Sequence, residues 1–227
     1  MIHISKRLQT VASMVTVGNT VADIGCDHAY TGIYLVSSGI SPHVIAMDLR
    51  PGPLEKAKEN IAAEGLEDRI EIRLSDGLDG LADNKTDTIL ISGMGGPLIL
   101  NILKKNIRKA RSADELILSP QSDLEEFPEG LKKLGFGIEE IKIVADEEKF
   151  YFVFKAAFGT DTEEGLRPEP ADVWAACLKS EEAKKKLILK KLEAENGEKA
   201  AERRREIHED IRRIEDEINR MRNRERI

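Results

Sequence analysis

Cysteine is scarce in this chain, and long apolar runs are absent. The two cysteines among 227 residues, Cys26 and Cys177, cannot form a disulfide framework and are typical of a reducing cytoplasm. No apolar run approaches the roughly 18 residues that a membrane-spanning helix needs, so we expect no membrane partner. The start, MIHISKRLQTVASMV, lacks a purely apolar core with a cleavage site, so we expect no signal peptide. The sequence therefore predicts a cytoplasmic protein.

Metal-binding residues are also few. Cys26 and His28 flank Asp27, but one cysteine and one histidine without further partners make a poor metal site. We therefore predict no metal.

Charge is divided unevenly along the chain, whose formal net charge is -7. Residues 180–227 contain 15 Lys/Arg and 13 Asp/Glu, which gives +2, and residues 1–179 contain 20 and 29, which gives -9. A nucleic-acid partner would therefore have to be met by a local basic patch, since the field of the whole molecule opposes it.

Short apolar runs alternate with helical spacing through the first two thirds of the sequence. Such alternation predicts a mostly parallel sheet covered by helices on both faces, and the last two strands are close enough in sequence to pair antiparallel. The predicted strands are 21–24, 43–48, 70–74, 86–92, 115–119, 138–145 and 150–157. Two longer helices are predicted over residues 97–109 and 123–134. Sheets of this kind bind ligands beyond the carboxyl ends of their strands.

The C-terminal segment has a different pattern. Isoleucines at 207, 211, 214 and 218 and Met221 repeat at spacings of 4, 3, 4 and 3, which is a heptad seam. Asn196-Gly197 predicts a break, so two helices would fold back as an antiparallel coiled-coil hairpin. We place the domains at residues 1–160 and 161–227. A plain dimerisation coiled coil is the alternative, and we expect a monomer or weak dimer.

The loop VADIGCDHAYTG, residues 21–32, carries acids where a dinucleotide-binding turn carries glycines. Asp27 occupies the position of the second glycine in G-x-G-x-x-G, where it would repel a pyrophosphate. A carboxylate there suits a ligand that has no phosphate and carries positive charge, as S-adenosylmethionine does. Asp23, Gly25 and His28 belong to the same predicted site.

Three later loops follow successive strands and agree with this ligand. Asp48, with Leu49 beside it, ends the second strand, where an acid accepts hydrogen bonds from ribose hydroxyls. The third strand ends at Ser75-Asp76-Gly77, where an aspartate can accept from an adenine amino group. The fourth ends in a loop without bulky side chains, which contains Gly93, Met94, Gly95 and Gly96. Each feature alone is weak, because Asp and Gly are ordinary turn residues, but together they are unlikely to be coincidental.

These segments resemble a known family. ISKRLQTVASMV, VADIGCDHAYTG, LSDGL, ISGMGG and EEKFYFV occur in order over residues 2–157 and are similar to the bacterial tRNA (adenine-N1)-methyltransferases that act on adenine 22. The resemblance implies a Rossmann-like methyltransferase domain followed by a coiled-coil domain, with S-adenosylmethionine bound by the loops above. The sequence departs from the family pattern at three places. Thr31-Gly32 replace Leu-Pro, Ser119-Pro120-Gln121-Ser122 stand where Gln-Pro-Asn is usual, and Phe152 replaces the glutamate of FYE.

The function that follows is methyl transfer from S-adenosylmethionine to N1 of a tRNA adenine. Asp27 is the candidate catalytic carboxylate, and Tyr30 is a candidate orienting group. The candidate substrate-binding cations are Lys6, Arg7, Arg203, Arg204 and Arg205. Two alternatives are a small-molecule methyltransferase dimerised by its coiled coil and a non-catalytic cofactor-binding module.

Overall fold

A computed structural model describes residues 2–82, 86–163, 165–192 and 197–224. The chain divides into two compact units, Met1–Pro168 and Glu169–Ile227. In the first unit the strands are β1 Val21–Ile24, β2 Val44–Asp48, β3 Ile70–Leu74, β4 Thr88–Ser92, β5 Glu115–Ser119, β6 Phe136–Asp146 and β7 Lys149–Phe158. The helices of that unit are α1 Lys6–Ala12, α2 Tyr30–Ser37, α3 Pro51–Ala63, α4 Gly96–Lys105, α5 Ile107–Ser112 and α6 Phe127–Lys133.

The strands form one sheet in the order β3-β2-β1-β4-β5-β7-β6. The five strands β1–β5 are parallel, and β7 runs antiparallel between β5 and β6. The order reverses between β1 and β4, so the loops after these two strands lead to helices on opposite faces and leave a crevice between them. The predicted Rossmann-like α/β sheet and its antiparallel final pair are therefore confirmed.

The central strands are buried on both faces, which explains why they read as continuous apolar runs. Ala22 and Ile24 of β1 belong to one apolar cluster, which also includes residues of α4 and α6. Val21, the other apolar residue of β1, belongs to a second cluster with residues of α1, α2 and α3. The two clusters hold the sheet between two helical layers and fix the carboxyl ends of its strands.

A buried carboxylate ties the segment after α1 to the sheet. Glu115 accepts hydrogen bonds from the Thr16 backbone N–H at 2.9 Å and from the Thr88 hydroxyl at 2.7 Å, and it pairs with Lys155 Nζ at 2.6 Å. Burial on its own would raise the pKa of Glu115, but hydrogen bonds from Lys155, Thr16 and Thr88 hold that pKa below its ordinary value. This network anchors the chain just after α1, whose first turn contributes to the crevice described below.

Two helices are shorter than the sequence pattern predicts. The helix predicted over 97–109 is divided at Asn106, whose backbone leaves the helical region with φ −120° and ψ 42° while its side chain donates to Asp79 at 2.7 Å. The helix predicted from residue 123 begins instead at Phe127, because Asp123 has a left-handed φ of 56°. In both cases local backbone geometry sets a helix boundary that apolar spacing alone does not indicate.

The second unit contains α7 Ala171–Leu192 and α8 Glu198–Arg224. Lys185 pairs with Asp210 at 2.6 Å, and Arg204 donates to the Leu192 carbonyl at 2.7 Å, so the two helices run antiparallel. The seam isoleucines at 207, 211, 214 and 218 are buried, as the heptad spacing predicts. Of the predicted break, Asn196 lies outside the described residues and Gly197 directly precedes α8.

Within the described parts of the chain, no helix combines the length and apolarity that crossing a bilayer requires.

Candidate active site

A cavity of about 780 Å³ opens at the carboxyl ends of the parallel strands. Its walls come from the loops after β1, β2, β3, β4 and β5, together with α1 and α4. The predicted residues that line it are Arg7, Asp23, Gly25, Asp27, Tyr30, Asp48, Leu49, Ser75, Asp76, Gly77, Gly93 and Met94. This volume lies within the range of small-molecule and cofactor sites, roughly 300–1,000 Å³.

The loop after β1 turns sharply into the cavity. Gly25 has φ +72°, a left-handed backbone conformation that residues with a Cβ rarely adopt, so the turn favours glycine. Asp27 and Ala29 also have left-handed φ values, of 51° and 60°. Such angles are uncommon for residues with a Cβ and cluster at ligand sites. The turn directs the Asp27 side chain outward, where 60% of it is exposed.

Two carboxylates are buried at the centre of the cavity. Asp23 is 4% exposed and Asp48 is 5% exposed. Asp48 accepts hydrogen bonds from the Arg50 backbone N–H at 2.9 Å and from the Asp27 N–H at 3.4 Å. The Oδ2 atom of Asp23 is buried and has no hydrogen-bond partner among the described residues. Burial, and secondarily the charge of Asp48, raises the pKa of Asp23 to about 7.

An unpartnered carboxylate oxygen in a buried position is costly unless a ligand satisfies it. The ligand that does so must present a hydrogen-bond donor or a positive charge. The centre of the cavity is therefore suited to a cationic or donor-rich ligand.

Three cations border this acidic centre. Arg50 reaches back from the loop after β2, with Nε 3.5 Å from Asp48 Oδ1 and Nη2 4.0 Å from Asp27 Oδ1. At the β3 side, Lys105 of α4 pairs with Asp76 at 2.8 Å, and that hydrogen bond raises the pKa of Lys105. At the β4 side, Arg7 donates to the Ser92 hydroxyl at 3.1 Å, and its guanidinium lies over the Tyr151 ring.

Several predicted residues lie outside the cavity wall. His28 approaches Asp27 at 3.8 Å, and its Nδ1 atom is buried without a partner among the described residues. Gly95 is the N-cap of α4, and Gly96 packs so closely against Ser122 that a Cβ would lie 2.7 Å from its carbonyl oxygen. Lys6 is exposed on α1. The structure does not bring these residues to the cavity, although it places them next to residues that line it.

The arginines at 203–205 belong to the separate helical unit. Arg203 and Arg205 are exposed on α8, whereas Arg204 is half-buried and donates to the Leu192 carbonyl. The three neighbouring arginines therefore differ, since Arg204 joins the two helices, whereas Arg203 pairs with Glu206 on its own helix at 2.7 Å.

Other lining residues were not predicted. They include Arg50, Leu78, Ser92, Asn101, Lys105, Asn106 and Gln121. Arg50 follows Asp48 by two residues, and Ser92 directly precedes the glycine loop. Their closeness in sequence to predicted residues could therefore have indicated that they line the cavity. Asn101 and Lys105 are one helical turn apart on α4, a spacing that places them on one face.

Among the described residues, no group of three or more His, Cys, Asp or Glu side chains is placed to hold a metal.

The raised pKa of Asp23 makes a prediction about stability. A carboxyl group whose folded pKa lies above its unfolded value contributes stability at low pH and loses it as pH rises through the folded value, here from about 4 to about 7. Asp23→Asn removes this ionisation. The free energy of unfolding of the variant, relative to the unliganded wild type, should therefore increase from pH 4 to pH 7 and stay constant above. Urea titrations at several pH values check this, and parallel pH profiles for the two proteins would contradict it.

Comparison with known proteins matches this arrangement. A family profile described as a methyltransferase domain covers residues 4–154. The tRNA (adenine(22)-N(1))-methyltransferase of Bacillus subtilis is 36% identical over 158 residues, which make up 70% of this chain and 66% of that protein. The aligned part thus spans just under two thirds of this curated relative.

Two solved structures agree over nearly the whole chain. A candidate tRNA (m1A22) methyltransferase from Streptococcus pneumoniae has a TM-score of 0.85 at 31% identity, with 95% of this chain and 100% of that chain covered. The m1A22 tRNA methyltransferase TrmK of B. subtilis has a TM-score of 0.82 at 28% identity, with 96% and 100% covered. The S. pneumoniae protein has also been solved in complex with S-adenosyl-L-methionine. This chain belongs to the methyltransferase domain family, in the group that contains the tRNA (adenine(22)-N(1))-methyltransferases.

Proposed function

We propose that this protein transfers a methyl group from S-adenosylmethionine to N1 of adenine 22 in tRNA. The observation that carries the proposal is the buried oxygen of Asp23, which has no partner among the described residues and lies in an acidic cavity at the switch point of the sheet. The specific reaction rests on the relatives, which include tRNA (adenine(22)-N(1))-methyltransferases and match both the sheet unit and the hairpin. This match favours a tRNA enzyme over a small-molecule methyltransferase or a non-catalytic module.

The residues present fit S-adenosylmethionine. Asp23 offers an unpartnered oxygen to a cationic donor, and Asp48 has remaining acceptor capacity for ribose hydroxyls. Asp76 lies at the end of β3, where an acceptor can meet an adenine amino group, and Lys105 holds its side chain. We therefore assign Asp23, Asp48 and Asp76 to cofactor binding. Gly25 and Gly77, at the turns beside them, let the backbone come close to the ligand.

A dinucleotide fits this cavity poorly. Asp27 stands where the pyrophosphate of NAD would approach the turn, and Asp48 is buried next to it. Two carboxylates near a phosphate raise its energy, whereas the same carboxylates stabilise an ammonium or sulfonium group.

S-adenosylmethionine, when bound, supplies a methyl group on a positively charged sulfur. Neutral adenine already presents a lone pair at N1, which forms the new N–C bond as the C–S bond breaks and its electron pair goes to sulfur. No proton has to leave before this step, and the positive charge passes to the adenine ring. The protein's task is therefore to align the reacting atoms and to stabilise the ring charge.

Asp27 and Tyr30 are the groups that we assign to the adenine. Asp27 is largely exposed at the cavity wall, so its carboxylate can lie near a ring that becomes a cation. Tyr30 begins α2, is 38% exposed and packs edge-on to His28. An exposed aromatic side chain at the mouth of the site can stack on a base that has left its helix.

The RNA contacts that we propose come from two groups of cations. Lys6 and Arg7 lie on the first turn of α1, and Arg7 lines the cavity. Arg203 and Arg205 are exposed on α8, in a segment that carries net positive charge. Because residues 1–179 carry net charge -9, such local patches are needed to hold an RNA phosphate backbone.

The cofactor assignment predicts the effect of Asp48→Ala. The variant should bind S-adenosylmethionine about 1.5–3 kcal/mol more weakly, because charge-assisted hydrogen bonds to ribose hydroxyls are removed. Asp114→Ala is the matched control, because Asp114 directly precedes β5 at the amino ends of the strands, away from the cavity. This variant should bind S-adenosylmethionine as the wild type does. Isothermal titration calorimetry checks this, with NAD as a second ligand that should bind negligibly. Equal binding of NAD and S-adenosylmethionine would contradict the assignment.

The catalytic assignment predicts a rate effect for Asp27→Asn. At saturating cofactor, single-turnover methylation should slow by about tenfold or more, since 1.4 kcal/mol of lost transition-state stabilisation suffices for that. Rapid-quench measurements over a range of cofactor concentrations check this. If the variant reaches the wild-type rate once saturated, Asp27 serves cofactor binding alone.

The hairpin assignment predicts a salt effect. Neutralising Arg203 and Arg205 to glutamine should weaken tRNA binding and reduce the slope of log K against log salt by about 1 for each RNA phosphate that the variant no longer neutralises. Lys132→Gln with Lys133→Gln, on α6, is a control with the same charge change. Filter binding at several salt concentrations measures both slopes. A hairpin that only mediates dimerisation would show equal slopes for the wild type and the arginine variant.

A further inference from the structure

The cavity extends past the predicted cofactor residues to the ends of β4 and β5. Asp76 follows β3, Asp48 is the last residue of β2, and Asp23 lies near the end of β1. These three strands are consecutive in the sheet. The next strands across are β4 and β5, where Gly93 and Gln121 line the same cavity. If the cofactor occupies the β3-β2-β1 side, this end is left for the methyl acceptor.

Gln121 is held rigidly by its backbone. Its N–H donates to the Met94 carbonyl at 2.9 Å, which joins the loop after β5 to the loop after β4. Ser119, two residues earlier, is buried and donates to the Phe152 carbonyl at 2.9 Å. A side chain on this loop can therefore be placed accurately, because the backbone at and before it is fixed.

The side chain of Gln121, by contrast, has no partner of its own. Its carboxamide makes no hydrogen bond to the described residues, and the residue is exposed. Its Nε2 atom would lie 3.8 Å from a Cβ on Gly93, and Arg7 Nη1 would lie 3.5 Å from the same point. Gly93, with φ +84°, therefore leaves open a space that the Gln121 amide and the Arg7 guanidinium border.

We infer that Gln121 is a specificity-determining residue that recognises the target adenine by its N6 and N7 atoms. The inference rests on the proposed function, since it names how the same site selects its base. A glutamine carboxamide pairs with adenine in two hydrogen bonds: Oε1 accepts from the N6 amino group, and Nε2 donates to N7. Guanine presents acceptors at both O6 and N7, so the same carboxamide cannot satisfy it.

This recognition leaves N1 open. N6 and N7 belong to the edge of adenine that a glutamine can cover while the N1 lone pair points away from it. As the ring gains positive charge during methyl transfer, its N6–H becomes a stronger donor, so the bond to Oε1 strengthens in the transition state. Gln121 thus discriminates in the rate of methylation as well as in binding.

The other candidates near this space have different roles. The Arg7 guanidinium is held by Ser92 and Tyr151, and its charge would oppose a ring that becomes a cation, so it suits a phosphate. Asn106 donates to Asp79. Asn101 lies on the same face of α4 as Lys105, which pairs with Asp76 after β3, and so belongs to the β3 side of the cavity.

The experiment combines a change in the protein with a change in one substrate atom. Two tRNA substrates carry adenosine or 7-deazaadenosine at the target position, and kcat/KM for methylation is measured for each. The wild type should prefer adenosine by about tenfold, because one substrate lacks the N7 acceptor. Gln121→Ala should methylate adenosine more slowly and show little preference. Asn101→Ala, which removes another carboxamide from the cavity wall, should retain the wild-type preference.

Several outcomes would overturn the inference. Equal rates of the wild type on both substrates would exclude N7 recognition, and this result does not depend on any variant. A Gln121→Ala variant that keeps the wild-type preference would assign N7 recognition to another residue. Binding of S-adenosylmethionine by Gln121→Ala with wild-type affinity shows that the variant is folded. If the wild type methylates neither substrate, the proposed function itself fails, which is distinct from methylation without preference.

Discussion

The arrangement of this site depends on the close placement of two buried carboxylates, Asp23 and Asp48, at the ends of adjacent parallel strands. Their charges oppose one another, and burial raises the energy of both, which is reflected in the raised pKa of Asp23. Asp48 is partly compensated by Arg50 and by its own loop, whereas one oxygen of Asp23 has no described partner. A positively charged ligand that donates a hydrogen bond to Asp23 would therefore stabilise this pair of carboxylates.

The sheet order determines how this constraint becomes a site. Because β1 lies next to both β2 and β4, the acids at the carboxyl ends of β1 and β2 adjoin the open glycine loop after β4. The acidic side of the cavity suits a positively charged ligand, and the side formed by β4, β5 and α1 offers an amide and a guanidinium. One cavity can thus hold a cofactor and a base with different electrostatic surroundings.

Much of the fold could be predicted from the sequence because buried parallel strands leave continuous apolar runs. The acids also stood out, since each follows such a run directly. Arg50, Lys105 and Gln121 were not predicted, because their place in the cavity depends on how loops turn and where α4 packs. Neither the unpartnered oxygen of Asp23 nor the structural contact of Arg204 could be read from spacing. Residue type predicted the chemistry of the site, and three-dimensional packing decided which residues face it.

The most direct test of the proposed function is to locate the methyl group that the protein transfers. Unmodified tRNA with adenine at position 22 is incubated with the purified protein and S-adenosylmethionine, digested with nuclease and mapped by mass spectrometry against a 1-methyladenosine standard. We predict 1-methyladenosine at position 22 and none in a transcript with guanine there. Methylation at N6, at another nucleotide or at no nucleotide would contradict the account.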